Sequence, residues 1–292
     1  MLKNKEAVSR TSYYNYPVHQ IADQPNGIQM PSGQMLQIRP ARCTLALNNF
    51  AMYETYKQAL AEDGFVVIDD VFSEEEVNDI LQHIGQADTN NPLFRKTTDL
   101  FAIRRFLHAV PEVKSALFTP ALKGIIRELF GKDYFLVKAI YFDKPGNSNW
   151  FVAWHQDLTI SVDKKTELDN YGPWTVKPDQ YAVQPPLALL ENIYTIRIHL
   201  DDTTAGNGAL KVIPGSHKKG IVRPESINLE STPEHSCSVK KGGVMIMQPL
   251  LLHASSRSTN DRNRRVVHLE FSDQQLPGEL NWAEQLYFNA QE

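Results

Sequence analysis

Hydrophobic and polar positions divide the chain into three parts. Residues 1–48 are polar, with scattered Pro, Gln and Asn and no lasting periodicity, and we expect an irregular N-terminal arm there. Residues 49–131 have mainly the period of helices, and residues 132–272 consist of short apolar or alternating runs separated by turn residues. We therefore expect a single domain over residues 49–292, in which a helical part precedes a β-rich core.

Start and stop signals mark individual elements in the helical part. Ser73 and Glu76 have the spacing of a capping box, and Thr119 precedes Pro120 as the N-cap of a further helix. Gly131 is a typical helix-ending residue. Between the helices, the run FVVIDD is apolar and β-branched, which predicts a strand.

The β-rich part predicts eight strands and no alternation of strands with helices. The strands are expected within residues 134–146, 150–160, 193–202, 208–216, 235–243, 244–256 (two, around Pro249) and 264–271. Short strands joined by turns are typical of a double-sheet jelly roll. The predicted fold is mainly β with flanking α: a cupin-like, double-stranded β-helix core of eight strands, with helices of the N-terminal third packed on it.

Residues 161–192 interrupt the strand series and are rich in Pro and aromatic residues. A loop of this length inside a compact domain is usually functional or disordered. We expect a lid-like insertion, with Tyr171, Trp174 and Tyr181 as candidates for lining a pocket. The alternative is an ordinary surface excursion whose aromatic residues pack on the sheet.

Composition argues against several classes of partner without selecting an activity. The formal net charge is −4 over 292 residues, so neither nucleic acid nor an anionic membrane is expected as a partner. No apolar run approaches the roughly 20 residues of a membrane span, and the N-terminal stretch lacks the apolar region of a secretory signal. Cys43 and Cys237 lie far apart and outside any C-x-x-C motif, which favours free thiols in a reducing, cytoplasmic setting.

Two H-x-D pairs are the candidate metal-binding motifs. Residues i and i+2 of a strand point to the same side, so either His155–Asp157 or His199–Asp201 could chelate one metal ion. The second and seventh strands of a jelly roll are neighbours. If His155–Asp157 lies on the second strand, the strand that contains His253 is the seventh. If His199–Asp201 lay on the second strand, too few strands would follow it to complete the fold. We therefore predict His155, Asp157 and His253 as ligands and a hydrogen-bonded core or rim histidine at position 199.

The chemistry of this ligand set favours iron. Two histidines and one carboxylate form the facial set of non-haem Fe(II) oxygenases, which leaves three positions of the metal open. Zinc prefers four-coordinate closure or one open position, and the residues alone do not exclude it. Arg264 begins the last predicted strand, and its guanidinium is suited to bind a carboxylate bidentately. Arg265 would point to the opposite side and is expected to be a solvated surface charge.

Four stretches carry a combined pattern: DGFVVIDDVFSEEEV, WHQDLTI, RIHLDDTTAGNGALKVIPGSH and LLLHASSRSTNDRNRRVVHLEF. Together they resemble the phytanoyl-CoA dioxygenase family of Fe(II)/2-oxoglutarate oxygenases over roughly residues 55–272. The resemblance implies that His155, Asp157 and His253 are the catalytic iron ligands. It also implies that Arg264 binds the distal carboxylate of 2-oxoglutarate.

The resemblance implies further contacts around the cosubstrate. By the same matching, Gln156 and Ser255 would lie against 2-oxoglutarate. Family members have a tryptophan near the position of Arg197, so the cosubstrate contacts of this chain are expected to differ there. Asp157 argues against halogenation, because related halogenases have a small residue at that position.

The implied enzyme would use Fe(II), 2-oxoglutarate and O2 to hydroxylate a small organic molecule, with release of succinate and CO2. The residues do not identify this molecule; Arg104, Arg105 and Lys138 could bind an acidic substrate or be solvated. One alternative function is a jelly-roll metalloenzyme without 2-oxoglutarate, which does not require a buried Arg264. The other is a non-catalytic binding module on the same fold, which does not require an intact ligand set.

Overall fold

A computed structural model describes residues 41–87, 93–97, 101–177, 180–228 and 232–288. The chain divides into two compact units, Met1–Leu45 and Ala46–Glu292. Residues 1–40 of the predicted arm lie outside the described residues. The first described helix begins at Ala41, so the predicted boundary between residues 48 and 49 falls inside a helix.

The described residues contain helices and strands in the following order along the chain. The helices are α1 Ala41–Glu62, α2 Glu74–Gly85, α3 Phe106–Ala109, α4 Val113–Leu117, α5 Pro120–Leu129 and α6 Leu187–Leu190. The strands are β1 Phe65–Ile68, β2 Phe94–Lys96, β3 Phe101–Arg104, β4 Phe135–Lys144, β5 Val152–His155, β6 Ile160–Val162, β7 Trp174–Lys177, β8 Gln180–Val183, β9 Ile193–His199, β10 Leu210–Val212, β11 His235–Cys237, β12 Val244–Met247, β13 His253–Ser255 and β14 Arg264–Ser272. Among the described residues, no helix is long and apolar enough to cross a membrane.

The helix starts follow the local signals of the sequence. The Ser73 hydroxyl accepts a hydrogen bond from the Glu76 backbone N–H at 3.2 Å, and the Glu76 carboxylate accepts one from the Ser73 backbone N–H at 2.8 Å. This confirms the predicted capping box of α2. Thr119 caps α5 in the predicted way, by accepting a hydrogen bond from the Leu122 N–H.

Two antiparallel sheets form the jelly roll. The larger sheet has the strand order β1-β12-β9-β14-β4-β3-β2, and the smaller has the order β11-β10-β13-β5. From β4 to β14 the chain crosses repeatedly between them, which is the connectivity of a jelly roll. The fold is thus mainly β with added helices, as predicted. Strands β2 and β3, from the part predicted to be helical, widen the larger sheet beyond the predicted core.

The segment 161–192 contains secondary structure of its own. Strands β6, β8 and β7 form a third sheet, and α6 follows it. Tyr171, Trp174 and Tyr181 pack against a cluster of buried apolar residues that includes Val137 and Leu190. These contacts are those of the second alternative, in which the aromatic side chains pack on the protein. A lid function of this segment stays a prediction.

The largest cluster of buried apolar side chains lies against one face of the central strands. It joins Ile80 of α2 and Leu122 of α5 with Ile196 and Ile198 of β9. Because side chains alternate along a strand, Arg197 between them points to the opposite face. Arg197 shares a pocket on that face with His155 and His253 of the smaller sheet.

Candidate metal centre and its pocket

Strand pairing brings the three predicted metal ligands together. His155, at the end of β5, is the direct partner of His253 in β13, and their ring centroids lie 4.2 Å apart. The backbone N–H of Asp157, two residues after the end of β5, donates to the Pro249 carbonyl at 2.9 Å and so fixes the backbone there. Asp157 Oδ1 lies 3.7 Å from His155 Nε2, and Oδ2 lies 3.6 Å from His253 Nε2. One ligand atom of each residue lies within 4.8 Å of the others, so the set could hold one metal ion.

Both imidazoles are oriented by backbone carbonyls. Nδ1 of His155 lies 2.8 Å from the carbonyl oxygen of Ala153, and Nδ1 of His253 lies 2.8 Å from that of Leu251. A carbonyl oxygen can only accept, so each Nδ1 carries the proton and each Nε2 presents its lone pair. This tautomer is the form in which a histidine binds a metal through Nε2.

The surroundings keep the carboxylate ionised and His253 neutral. Burial disfavours the charged form of Asp157, but interactions with His253, His268 and Lys138 outweigh burial and hold the pKa of Asp157 well below its usual value. Burial is the largest cause that lowers the pKa of His253 to about 4. At neutral pH the site therefore offers the protonation states that a divalent metal requires.

A pocket of about 240 Å³ opens onto these three ligands. Its apolar wall is formed by Ile140, Phe142, Trp150 and Val152. The charged side chains that line it, besides Asp157, are Lys138, Arg197, Arg264 and Glu270. None of the described residues of segment 161–192 is among its lining residues, and neither Arg104 nor Arg105 is.

Arg264 and Ser255 lie together in this pocket. Both donate a hydrogen bond to the carbonyl oxygen of Gly208. The Arg264 side chain is 3% exposed, and no carboxylate within the described part of the chain pairs with it. Burial, followed by the charge of Arg197, lowers the pKa of Arg264 to about 9. A buried cation without a counter-ion is costly, so an anionic ligand would stabilise this end of the pocket.

Gln156 is not brought to the pocket. Its side-chain amide donates to the carbonyls of Gly220 and Leu250, and its side-chain carbonyl accepts from the Val222 N–H. Its neighbours His155 and Asp157 line the pocket, and Gln156 does not. The implied contact of Gln156 with a cosubstrate therefore has no support in the structure. Its observed contacts instead tie the end of β5 to the loop that contains residues 220–222.

His199 and Asp201 of the second H-x-D pair contact other groups of the protein. His199 Nδ1 lies 2.7 Å from the Thr203 hydroxyl, so His199 is a buried hydrogen-bonded histidine, as expected. The Asp201 carboxylate accepts two hydrogen bonds from the Arg265 guanidinium, at 2.6 and 2.8 Å. Arg265 lies on the opposite side of β14 from Arg264, as predicted, although it forms an ion pair instead of being free in solvent.

Two pocket residues, His268 and Glu270, were not recognised from the sequence. Glu270 Oε1 lies 2.8 Å from Lys138 Nζ and 3.0 Å from His268 Nε2, and His268 Nδ1 lies 3.1 Å from Arg197 Nη1. The signal for them is the period-two alternation of RRVVHLEF, which places both on the same face of β14 as Arg264. Lys138 thus lines the pocket in an ion pair with Glu270, a contact that the sequence did not indicate.

Comparison with known proteins gives one family and several distant relatives. A family model described as phytanoyl-CoA dioxygenase matches residues 60–266. Phytanoyl-CoA dioxygenase domain-containing protein 1 of Danio rerio is 24% identical over 206 residues, which cover 64% of this chain and 62% of that protein. Ectoine dioxygenase of Streptomyces coelicolor is 24% identical over 173 residues, covering 55% of this chain and 50% of the enzyme. The chain thus spans less than two thirds of the length of either relative.

Solved structures share the fold at lower sequence identity. HygX from Streptomyces hygroscopicus, crystallised with nickel, 2-oxoglutarate and hygromycin B, superposes with a TM-score of 0.54 at 17% identity. The match covers 75% of this chain and 86% of HygX. At this identity the similarity is one of fold, and the ligands of HygX are properties of that protein.

Proposed function

The chain belongs to the phytanoyl-CoA dioxygenase family, and from this we propose that it is an Fe(II)- and 2-oxoglutarate-dependent dioxygenase that hydroxylates a small organic molecule. One observation carries the proposal: a site of two histidines and one carboxylate shares a pocket with a buried arginine that has no acidic partner in the described residues. The first feature suits a ferrous ion, and the second suits a carboxylate.

The ligand set fits iron in composition and in orientation. His155 and His253 would bind the metal through Nε2, and Asp157 through its carboxylate, on one side of the ion. The hydrogen bonds at Nδ1 fix both rings before the metal arrives. When bound, iron with 2-oxoglutarate and O2 supplies the oxidising power for C–H hydroxylation, with release of succinate and CO2.

The other end of the pocket fits the distal carboxylate of 2-oxoglutarate. The Arg264 guanidinium and the Ser255 hydroxyl both point their hydrogens toward one carbonyl, that of Gly208. The Ser255 hydroxyl donates its one hydrogen to Gly208, whereas the Arg264 guanidinium has four further N–H groups in a planar fork that suits the two oxygens of a carboxylate. We assign Arg264 to bind this carboxylate and Ser255 to lie beside it.

The remaining wall of the pocket is suited to a small, largely apolar part of a substrate. Ile140, Phe142, Trp150 and Val152 offer apolar contact to such a group. Relatives and structural neighbours are named for small molecules, among them ectoine and hygromycin B, which supports a small organic substrate in general. We place the enzyme in a reducing cytoplasm, because Cys237 is buried and unpaired.

An anaerobic titration tests this proposal. Apoprotein is titrated with Fe(II) and then with 2-oxoglutarate, and the visible metal-to-ligand charge-transfer absorption of the chelate is recorded. We expect the absorption in the wild type and in a His235→Ala control, whose histidine is exposed. We expect none in His253→Ala. Bound iron without this absorption in the wild type would contradict the use of 2-oxoglutarate and would favour a jelly-roll metalloenzyme of another chemistry.

A further inference from the structure

Arg197 is a second buried cation in the pocket, and it has no role in the proposed function. Its side chain is 8% exposed and lines the pocket beside the metal ligands. Nη1 donates to His268 Nδ1 at 3.1 Å, and Nε has no hydrogen-bond partner in the described residues. A buried guanidinium with unsatisfied hydrogens calls for an anionic ligand.

The contacts of Arg197 orient the side chain without neutralising its charge. Because His268 Nδ1 accepts from Arg197, the proton of this imidazole lies on Nε2, where it is donated to Glu270 at 3.0 Å. The charge of Glu270 is in turn paired with Lys138 at 2.8 Å. The charges of Lys138 and Glu270 therefore neutralise each other. No carboxylate of this series remains to pair with Arg197.

Strand register sets the backbone positions of Arg197 and Arg264 apart along the sheet. Arg197 of β9 is the direct partner of His268 in β14. Arg264 lies four residues before His268, which is about 13 Å along the strand at the usual rise per residue. His268 and Lys138 both act on the charge of Asp157. Burial lowers the pKa of Arg197 to about 10, and Asp157 is the main group that opposes this shift.

Two separated cations in one pocket match a dianion with two separated carboxylates. 2-Oxoglutarate has one carboxylate next to its keto group and one at the other end of the molecule. Given the proposed function, we propose that Arg197 binds the carboxylate next to the keto group, while Arg264 binds the distal one.

Two ligands of equal chain length separate the roles of the two arginines. 2-Oxopentanoate has the keto acid end of 2-oxoglutarate but a methyl group in place of the distal carboxylate. The dissociation constants of both compounds are measured on the Fe(II)-loaded protein without oxygen, from the charge-transfer absorption. The variants are Arg197→Gln and Arg264→Gln, with Arg265→Gln as the matched control, since that arginine pairs with Asp201 on the outer side of β14.

We expect Arg197→Gln to weaken both ligands by a similar factor of about 10 to 100, the range for a lost hydrogen bond to a charged group. Arg264→Gln is expected to weaken 2-oxoglutarate alone, because 2-oxopentanoate has no distal carboxylate. Arg265→Gln should leave both constants unchanged. Iron content and thermal unfolding of each variant are measured in parallel, so that misfolding is seen separately.

Two results would overturn the assignment. If Arg197→Gln weakens only 2-oxoglutarate, Arg197 shares the distal carboxylate with Arg264; if it weakens neither ligand, Arg197 does not contact the cosubstrate. Should Arg197→Gln fail to fold, Arg197→Lys keeps the charge without the planar fork, and we expect a smaller loss for both ligands. Unchanged constants in Arg197→Lys would count against the assignment. Failure of the proposed function itself differs, since the wild type would then show no absorption with 2-oxoglutarate.

Discussion

Three consecutive residues at the end of β5 have side chains with two different roles. His155 and Asp157 point into the pocket, whereas Gln156 between them is turned to the backbone of residues 220–222. The alternation of side chains along β14 separates Arg264, which lines the pocket, from Arg265, which binds Asp201 outside it. A shift of one residue in either strand would therefore exchange a functional side chain for a structural one.

The two H-x-D aspartates offer a matched pair for testing the metal site. Asp157→Ala removes the negative ligand, so we expect iron affinity to fall by about 100-fold or more and turnover to be lost, since even residues beyond the ligands change metal affinity 10- to 100-fold. Asp201→Ala removes only the partner of Arg265 and is expected to retain iron. Metal content after anaerobic loading and dialysis measures both. Loss of iron in Asp201→Ala with retention in Asp157→Ala would place the metal at the other pair.

At the scale of elements, one turn positions the cosubstrate end of the pocket. Gly208 has a φ of +80°, which L side chains rarely adopt, and precedes β10. A Cβ at this position would lie 2.6 Å from the Ser256 carbonyl oxygen and 2.7 Å from Lys144 Nζ. The carbonyl of Gly208 accepts the hydrogen bonds of Arg264 and Ser255, so the turn orients both donors.

Replacing this glycine should damage cosubstrate binding more than metal binding. In Gly208→Ala the strained turn must shift, and we expect 2-oxoglutarate affinity to fall about tenfold or more and stability to fall by about 1–3 kcal/mol. Gly124→Ala is the control: its Cβ would meet nothing within 4 Å in α5, and we expect a gain of about 0.5–1 kcal/mol. Denaturant unfolding and the anaerobic titration measure the two effects. Equal 2-oxoglutarate affinity in both variants would contradict the role assigned to the turn.

At the scale of the whole molecule, the pocket contains two buried arginines whose positive charges a bound anion would balance. Arg197 and Arg264 are both buried in it without a carboxylate partner among the described residues. Lys144, next to Arg264 in the sheet register, is fully buried as well, and burial lowers its pKa to about 8. Such charges cost folding free energy, and an anion that binds only the folded state recovers part of it.

Fe(II) and 2-oxoglutarate should therefore each raise the free energy of unfolding by a separate amount. At ligand concentrations about 100 times the dissociation constant, each increment is expected to be about 2.7 kcal/mol. Arg264→Gln should keep the increment from Fe(II) and lose most of the increment from 2-oxoglutarate. Anaerobic thermal unfolding with no ligand, with Fe(II), and with both measures this. An undiminished 2-oxoglutarate increment in Arg264→Gln would show that this arginine does not bind the cosubstrate.

Much of the fold and of the candidate site could be predicted from local sequence patterns. The capping box at Ser73, the alternating strands and the approach of His155 to His253 were all predicted, because each depends on backbone geometry or on the strand order of one fold. Strands β2 and β3 were not predicted. Their sequences, FRK and FAIR, lack the β-branched run that marks the equally short β1, FVVI, so nothing local indicated strands there.

The sequence by itself determined the family, the jelly-roll pattern and the H-x-D motif, because these depend on residues close together in the chain or on a spacing shared with relatives. Only the tertiary structure decided that Gln156 faces away from the metal pocket and that Lys138, Glu270, His268 and Arg197 are linked. The pairs in this link are up to 132 residues apart. Their contact depends on which strands pair and in what register, and no local period of hydrophobic and polar residues encodes that choice.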